Sequence, residues 1–442
     1  MGPLNTLVER FIPSALVFAI VLTVVVMIGA LVLTDSGPVD VVKSWGDGLA
    51  GLLAFMTQMA LILLLGYILA NTGPVRWALL KLANVPKGRI MPYVFVALIT
   101  CVAALFTWGL GLVVGAILAT EVAAAARRRG EKLHFPLLVA GGYTGMAVWH
   151  MGYSGSAPLT AATPDSFLAE HIGETIPLTS TIFAAWNMIT VAVALAVICA
   201  VFALLAPKKD DAVHEMPEHQ MASDDVHYDV ETPADKLDAS RALTLIPGLL
   251  LLLYLVIHFR DGGSITLDIV NWSFLTIILL LVANPFVLIE LTKRGASNVG
   301  EILLQFPLYA GIMGIMGGTG LIQVLSDSIV AVATPATFGM LAFFSAAIVN
   351  FFVPSGGGQA AVQGPVLLTA AEQLGVDPEV AIMALSYGDQ LTNLIQPFWA
   401  LPLLAIAKLR IRDILGYTLV VMIALGVVYT VAMLVIGPNP GG

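Results

Sequence analysis

The chain has 442 residues, of which 58% are hydrophobic and only 11% are charged. Soluble domains contain roughly 45–50% apolar and about 25% charged residues, so a mean hydropathy of +0.93 excludes a soluble protein and indicates an all-α polytopic membrane protein. The net charge of −9 argues against a nucleic-acid partner. Cys101 and Cys199 stand in apolar runs without metal-ligand spacing, so we expect neither a disulfide framework nor a zinc site.

Nine apolar segments have the length of about 18 residues or more that a bilayer crossing needs. In chain order they are residues 11–33, 49–70, 135–162, 179–206, 242–259, 267–290, 301–322, 380–407 and 414–436. Residues 91–126 and 336–371 are also apolar, but each carries a glycine-rich break that leaves two halves too short to cross. The pattern predicts that these two segments are helical hairpins.

The basic residues predict the orientation of the chain in the membrane. With the N-terminus inside, all of the 20 Lys and Arg residues except Lys43 and Arg260 fall on the cytoplasmic side, as the positive-inside rule requires. The C-terminus is then outside. Residues 207–241 form a polar linker that holds ten of the 29 acidic residues, between Asp210 and Asp238, and we expect a flexible cytoplasmic loop. Its three histidines match no metal-ligand pattern; they are His214, His219 and His227.

A weak internal repeat divides the chain. Gln58 and Thr72-Gly73 recur at the same spacing as Gln305 and Thr319-Gly320, and three further matches follow in the same order. Five crossings separate the starts of the two copies, which predicts inverted topology. The predicted organisation is an N-terminal span and external loop (1–48), a first repeat (49–206), the linker (207–241), two connecting spans (242–300) and a second repeat (301–437). Inverted repeats with interrupted helices are typical of secondary transporters, whose site lies near the midplane of the bilayer.

The break in the second hairpin is the strongest candidate site. Irregular backbone at membrane depth is tolerated only where it is buried in protein or lines a cavity. A half-helix beginning near Gln359 would offer free N–H donors and a partial positive charge to a carboxylate. The candidate substrate-binding residues here are Ser355, Gly356, Gly357, Gly358, Gln359 and Gln363. A tight helix contact through small residues is the alternative. Thr107 and Trp108, in the first hairpin, are candidates for the coupling-ion site or for a structural role.

A second polar cluster lies within residues 386–397. Asp389 is its only formal charge, and a carboxylate at the centre of a helix costs roughly 2.5–3.5 kcal/mol on insertion scales, which indicates a functional residue. A structural hydrogen bond, or a position near the aqueous rim, is the alternative. We assign Asp389 and Gln390 to the coupling ion. We assign Thr392, Asn393 and Gln396 to the substrate.

The counterpart in the first half spans residues 141–156. His150 is either a titratable or substrate-binding group or a packed histidine. Ser154 and Ser156 are further substrate candidates, and Tyr143 and Thr144 are candidates for the coupling ion. Gly152 to Gly155 also match the Gly-x-Ser-Gly of an intramembrane serine protease, which needs a histidine as base. An intramembrane hydrolase and an anion channel are therefore the alternative classes.

At these residues the sequence resembles the bacterial short-chain fatty acid transporter family, of the acetoacetate and butyrate uptake type, within the wider ion-transporter superfamily. The resemblance is carried by residues 350–359 and 362–365, by 388–393 and by 396–399. It implies uptake of small monocarboxylates across the inner membrane by cation symport, with H⁺ or Na⁺ and no other cofactor. It also implies that each repeat holds one hairpin and one interrupted transmembrane helix (135–162 and 380–407), which move against a scaffold in a homodimer.

The absence of basic residues from both hairpins and both interrupted helices predicts the substrate charge. No guanidinium is available there to clamp a carboxylate, so helix N-termini and neutral side chains would hold one carboxylate but not two. We expect Phe351, Phe352, Phe398 and Trp399 to shelter a short alkyl tail.

Overall fold

The computed structural model describes residues 15–208, 213–216, 230–296, 299–350, 353, 355–396, 399–400, 403–404 and 407–440. Helix is the only regular secondary structure in these ranges, which confirms the all-α prediction. The α-helices of the described residues are α1 Ala15–Leu33, α2 Pro38–Gly48, α3 Leu53–Ala70, α4 Gly73–Leu82, α5 Met91–Phe106, α6 Trp108–Arg128, α7 Phe135–Tyr143, α8 Ser156–Ala162, α9 Phe167–Ile172, α10 Ala185–Leu205, α11 Pro233–Asp238, α12 Ala242–Arg260, α13 Leu267–Leu281, α14 Pro285–Ala296, α15 Gly300–Gly318, α16 Leu321–Val330, α17 Pro335–Val349, α18 Gly356–Leu374, α19 Pro378–Thr392 and α20 Ile411–Ile436.

Long apolar helices make the chain a multi-pass membrane protein. Within the described residues, five segments are long and apolar enough to cross a bilayer, namely α3, α6, α10, Pro233–Arg260 and α20. A sixth crossing is available if Leu303–Gly318 and Leu321–Val330 count as one span, although they are bent by 77°. Gly320, at this bend, has a φ of +76°, a left-handed conformation that glycine adopts without strain. The described residues thus contain fewer full-length spans than the nine predicted.

Two predicted segments differ from the structure. The predicted external loop before residue 49 is largely the helix α2, which packs closely on α15 through small residues. A Cβ on Gly314 would lie only 2.4 Å from the carbonyl oxygen of Ser44. The predicted span 267–290 is two helices, because Pro285 lacks a backbone N–H and Asn284 begins a new helix by accepting the Val287 N–H at 3.1 Å.

The first hairpin turns at a single residue. Thr107 is extended, with φ −157° and ψ 136°, between the end of α5 and the start of α6. A Cβ on Gly111 would lie 2.6 Å from the Cβ of Ala104, so the two helices touch just beyond the turn.

The second hairpin is joined by side chains. In α18, Gln359 Nε2 donates to the carbonyl of Ala346 at 2.8 Å, and Gln363 Nε2 donates to Ser345 Oγ at 2.9 Å. Both acceptors lie on α17. Residues 351, 352 and 354 of the connecting segment lie outside the described residues.

Each interrupted helix loses its regular form in the middle. In the first, 3₁₀ turns at Thr144–Ala147 and Trp149–Met151 separate α7 from α8. In the second, α19 ends at Thr392 and a 3₁₀ turn follows at Asn393–Ile395. The inverted relationship between the two halves remains a prediction.

Part of the acidic linker is docked where α6 ends and α7 begins. The His214 N–H donates to Nδ1 of His134 at 3.0 Å, and the His214 carbonyl accepts from Phe135 N–H at 2.7 Å. The guanidinium of Arg127 donates to the carbonyl of Met216 at 3.1 Å, and the Met216 side chain is buried. The linker is therefore less free than the sequence predicts, and its later part contains α11. His219 and His227 lie outside the described residues.

Candidate functional site

Four irregular segments come together in the interior, and we call their meeting point the central site. They are the first tip (residue 107), the second tip (355–358), the first break (144–155) and the second break (393–396). The end of α5, directly before the first tip, contacts the first break, because Tyr153 N–H donates to the Leu105 carbonyl at 2.6 Å. The second tip contacts it as well, because a Cβ on Gly356 would lie 2.5 Å from the Trp149 ring.

The two breaks are joined directly. Tyr143, the last residue of α7, donates its hydroxyl to the carbonyl of Asn393 at 2.6 Å and lies 3.3 Å from the carbonyl of Gln396. A helix interruption leaves carbonyl groups without intrahelical partners. The tyrosine of one half therefore satisfies backbone groups that the break in the other half exposes.

The second tip begins a helix earlier than the sequence predicts. The helix starts at Gly356 rather than near Gln359, because Ser355 is the N-cap and its Oγ accepts the Gly358 N–H at 3.2 Å. Of the three glycine N–H groups proposed for the substrate, the third is thus already used. The partial positive charge of the helix start lies at Gly356 and Gly357.

Close packing requires the three glycines of the second tip. A Cβ on Gly357 would lie 2.8 Å from the ring of Phe55 and 3.3 Å from Phe306. A Cβ on Gly358 would lie 2.6 Å from Tyr309. These aromatic residues belong to α3 and α15, so the second tip is pressed between the first break and an aromatic wall.

Asn350, at the C-terminal end of α17, anchors the second break to its hairpin. Its Nδ2 lies 2.6 Å from the Asp389 carbonyl and 2.9 Å from both Thr392 Oγ1 and Asn393 Oδ1. Its own carbonyl accepts from Gln396 Nε2 at 2.6 Å. Asn350 is not among the site residues predicted from the sequence. The signal available was a carboxamide in an apolar segment directly before a break.

Asp389 and His150 form a buried pair across the two halves. Oδ2 of Asp389 lies 2.8 Å from Nδ1 of His150, and both side chains are 0% exposed. The backbone N–H of His150 donates to Gln390 Oε1 at 3.0 Å, and its Nε2 accepts the Ala157 N–H at 3.0 Å. Among the described Asp, Glu, Lys and Arg residues, Asp389 alone has a buried side chain.

Several buried polar atoms around the central site have no hydrogen-bond partner among the described residues. Those able to donate are Thr107 Oγ1, Trp149 Nε1, Ser154 Oγ and Gln390 Nε2; those able to accept are Asn350 Oδ1, Gln359 Oε1, Asp389 Oδ1 and Gln396 Oε1. Buried polar groups in native proteins are nearly always paired. A concentration of unpaired groups at one place indicates a binding site for a polar ligand.

Other predicted residues are engaged locally. The Thr144 hydroxyl donates to the Ala140 carbonyl of its own helix at 2.9 Å, and Ser156 Oγ lies 3.5 Å from Sδ of Met59. Gln363 pairs within the second hairpin. The hydroxyl of Ser154 does not hydrogen-bond to His150, whose ring nitrogens have the other contacts described above. The arrangement therefore lacks the serine–histidine contact that the protease alternative requires.

Tryptophan side chains pack together beside the central site. Trp108 packs against Trp149 at 6.2 Å between ring centroids and against Trp399 at 5.0 Å in an edge-to-face arrangement. Trp149 also stacks on the ring of His150 at 4.3 Å. The predicted contacts of Phe351, Phe352 and Phe398 lie outside the described residues. Within the described ranges, no group of three His, Cys, Asp or Glu side chains is close enough to hold a metal ion.

Comparison with known proteins gives matches over almost the whole chain. The family model described as "Short chain fatty acid transporter" matches residues 2–436. A relative from Escherichia coli (strain K12) is 40% identical over 430 residues, covering 96% of this chain and 97% of its own. A relative from Haemophilus influenzae is 37% identical over 449 residues, covering 98% and 97%. Both carry the name "Putative short-chain fatty acid transporter". The crystal structure of the Alcanivorax borkumensis YdaH transporter shares the fold, with a TM-score of 0.57 at 15% identity over 96% of this chain and 98% of that one.

Proposed function

The chain belongs to the short-chain fatty acid transporter family, and on that premise we propose that it takes up short-chain fatty acids or related small monocarboxylates by symport with a cation, H⁺ or Na⁺. The observation that carries this proposal is the meeting of four irregular segments around unpaired buried polar atoms. Irregular backbone at membrane depth is tolerated where it is buried in protein or lines a cavity, and in secondary transporters such interrupted segments form the substrate site.

The substrate carboxylate is assigned to the donors of the central site. The start of α18 at Gly356 and Gly357 contributes a partial positive charge. The unpaired donors at Ser154, Trp149 and Gln390 contribute hydrogen bonds to a carboxylate, with Thr107 at the edge of the group. Neutral donors of this kind hold a single carboxylate without a basic side chain.

The alkyl tail is assigned to the tryptophan surfaces. The ring of Trp108 packs against the rings of Trp149 and Trp399 beside both breaks. Burial of each methylene contributes about 0.8 kcal/mol, so affinity should rise with chain length until the tail extends beyond these rings. This arrangement favours acids of about two to six carbons.

Asp389 is assigned to the coupling cation, and His150 is reassigned from the substrate to Asp389. Both ring nitrogens of His150 already have partners in Asp389 and Ala157. His150 therefore has no ring nitrogen left to bind the substrate carboxylate. Asp389 would repel that carboxylate unless a cation were bound. That repulsion is the physical reason to propose symport rather than uniport.

We further propose an elevator-type movement in a homodimer in the bacterial inner membrane, with the N-terminus cytoplasmic and the C-terminus outside. Hydrogen bonds join the second hairpin to the second break and join both breaks to each other. By contrast, the second tip meets α3 and α15 mainly through the rings of Phe55, Phe306 and Tyr309. Apolar surfaces slide past one another without breaking hydrogen bonds, so this boundary suits a moving unit against a scaffold.

Counterflow tests the proposed function. Proteoliposomes loaded with unlabelled acetoacetate are diluted into a trace of labelled acetoacetate, and we expect a transient accumulation of label above equilibrium. Protein-free liposomes show the passive background. A channel or a hydrolase gives no such overshoot, so its absence with correctly inserted protein would reject the carrier.

A further inference from the structure

The hydrogen bonds of His150 determine where its proton lies. Its Nε2 accepts the backbone N–H of Ala157 at 3.0 Å, so Nε2 carries no proton. A neutral imidazole has one N–H, which must then be on Nδ1. Nδ1 lies 2.8 Å from Oδ2 of Asp389 and donates to it. His150 is therefore neutral, since an imidazolium would direct a second N–H at the Ala157 N–H.

The same contacts determine the state of Asp389. Because Oδ2 accepts the His150 proton, the pair carries the single negative charge of the carboxylate. Its other oxygen, Oδ1, is buried and has no hydrogen-bond partner among the described residues. No buried Lys or Arg side chain within the described ranges compensates this charge.

Three buried tyrosines of the segments around the pair are neutral donors with partners of their own. Tyr143 donates to Asn393, Tyr387 donates to Asn187 Oδ1 at 2.7 Å, and Tyr429 donates to the Ala147 carbonyl at 2.6 Å. One negative charge thus remains, and burial of an unpaired charge is costly. A single cation at Oδ1 removes that cost, whereas a second would restore an unpaired charge of opposite sign.

Building on the proposed function, we propose that Oδ1 of Asp389 binds one monovalent cation while His150 stays neutral, so that one cation crosses with one monocarboxylate and no net charge moves. His150 is a positioning residue: its N–H keeps Oδ2 occupied and leaves Oδ1 for the cation. H⁺ and Na⁺ satisfy the same requirement, and the experiments separate them.

Stoichiometry is measured first by linkage in detergent. Acetoacetate binding is titrated at a series of pH values in sodium-free buffer, and at a series of Na⁺ concentrations at fixed pH. Because coupling between two ligands is reciprocal, the Kd should fall about tenfold per tenfold rise in the coupling cation, below saturation. A slope of one with either cation supports the proposal. A slope of two, or of zero with both cations, overturns it.

Voltage gives the second measurement. In proteoliposomes, a potassium diffusion potential of about 100 mV should change acetoacetate accumulation less than twofold under the same cation gradient. One net charge per cycle would change it about 50-fold. The accumulation follows a pH gradient if the cation is H⁺ and a sodium gradient at equal pH if it is Na⁺. Protein-free liposomes are subtracted, because undissociated acids cross bilayers.

Cation binding is also measured without any carboxylate, so that failure of the proposed function does not hide failure of this inference. Thermal unfolding of the wild type in detergent should shift to higher temperature as the coupling cation rises, while Asp389→Asn lacks that component. Equal cation dependence in wild type and Asp389→Asn overturns the proposal even if acetoacetate binds. Loss of acetoacetate binding alone, with the shift intact, overturns only the proposed function.

Two variants and one spectrum isolate the role of His150. His150→Leu removes the N–H donor that stabilises the carboxylate, so the cation concentration for half-maximal effect should fall about 10- to 100-fold. His150→Gln keeps a donor and should recover part of the wild-type value. The fluorescence of Trp149, taken as wild type minus Trp149→Phe, should stay constant through the cation titration. The titration is run without acetoacetate, because substrate contacts Trp149 directly; quenching by an imidazolium as the cation rises would place the charge on His150 and overturn the assignment.

Discussion

The hydroxyl of Tyr143 lies 2.6 Å from the backbone carbonyl of Asn393, so a side chain at the end of one interrupted helix closes the gap in the other. The two residues are 250 positions apart in the chain. The contact makes the geometry of each break depend on the other, and it explains why Tyr143 is fully buried despite its polar end.

Removal of this hydroxyl should weaken both structure and transport. Tyr143→Phe leaves the Asn393 carbonyl without its donor, which costs about 1–3 kcal/mol for a buried group. We expect a lower unfolding temperature in detergent and a several-fold slower acetoacetate counterflow. Tyr254→Phe is the control, because Tyr254 is half exposed on α12, and it should change neither quantity. Equal effects of the two substitutions would contradict the assigned role.

Gly357→Val should abolish substrate binding while membrane insertion is retained. The added Cβ alone would lie 2.8 Å from the Phe55 ring, so the tip cannot close against the aromatic wall. Gly317→Val on α15 is the matched control, since a Cβ there meets nothing within 4 Å. Binding is measured by acetoacetate titration. In the Gly357→Ala variant, the second substitution Phe55→Leu should partly restore acetoacetate binding. A fully active Gly357→Val carrier would place the site elsewhere.

Monocarboxylates of about two to six carbons should compete for transport, and succinate and citrate should not. Neutral donors compensate one carboxylate, but a second would stay buried without a basic partner, at a cost of several kcal/mol. Inhibition of labelled acetoacetate counterflow by a tenfold excess of each acid measures this. Strong competition by succinate would mean that a basic residue reaches the substrate.

Docking of the linker should weaken at acidic pH. Burial, with a smaller contribution from the nearby His214, lowers the pKa of His134 below its usual value of about 6.5. The stabilisation is therefore complete above about pH 6.5 and is lost as pH falls through the lowered pKa, because protonated Nδ1 cannot accept the His214 N–H. In a background without Cys101 and Cys199, the rate at which Met216→Cys reacts with a thiol reagent, relative to an exposed reference cysteine, should be about tenfold higher at pH 5 than at pH 7.5.

The reference cysteine is Glu231→Cys, an exposed linker position, and division by its rate removes the effect of pH on thiol reactivity. His134→Asn carries a side chain that does not titrate in this range, and its ratio should not change with pH. A pH-dependent ratio in His134→Asn would show that another group controls docking.

The sequence was informative wherever polarity interrupted an apolar run. Asp389 and the glycines at 356–358 are conspicuous in apolar surroundings, and the structure buries all of them at the central site. Helix ends were harder to predict. The start of α18 at Gly356 depends on the Ser355 cap, and glycine runs carry little helical signal of their own.

Pairing between distant residues was not accessible from the sequence. Nothing in the pattern around His150 indicates that its Nδ1 faces Asp389, and Asn350 looks like an ordinary carboxamide until its four contacts are known. The helix α2 was missed because its packing depends on glycines of α15 that lie more than 260 residues away.

The docked linker residues have a consequence for how the chain can be divided. In the contacts described, His214 and Met216 bind only to groups of the first half of the chain. The hydrogen bonds between the two breaks join residues that are far apart in the sequence, so they do not depend on the linker. Two separately expressed polypeptides, 1–216 and 230–442, would therefore keep every one of these contacts. We expect the two fragments to reassemble in the membrane and form the Tyr143–Asn393 and His150–Asp389 contacts without a peptide bond between the halves.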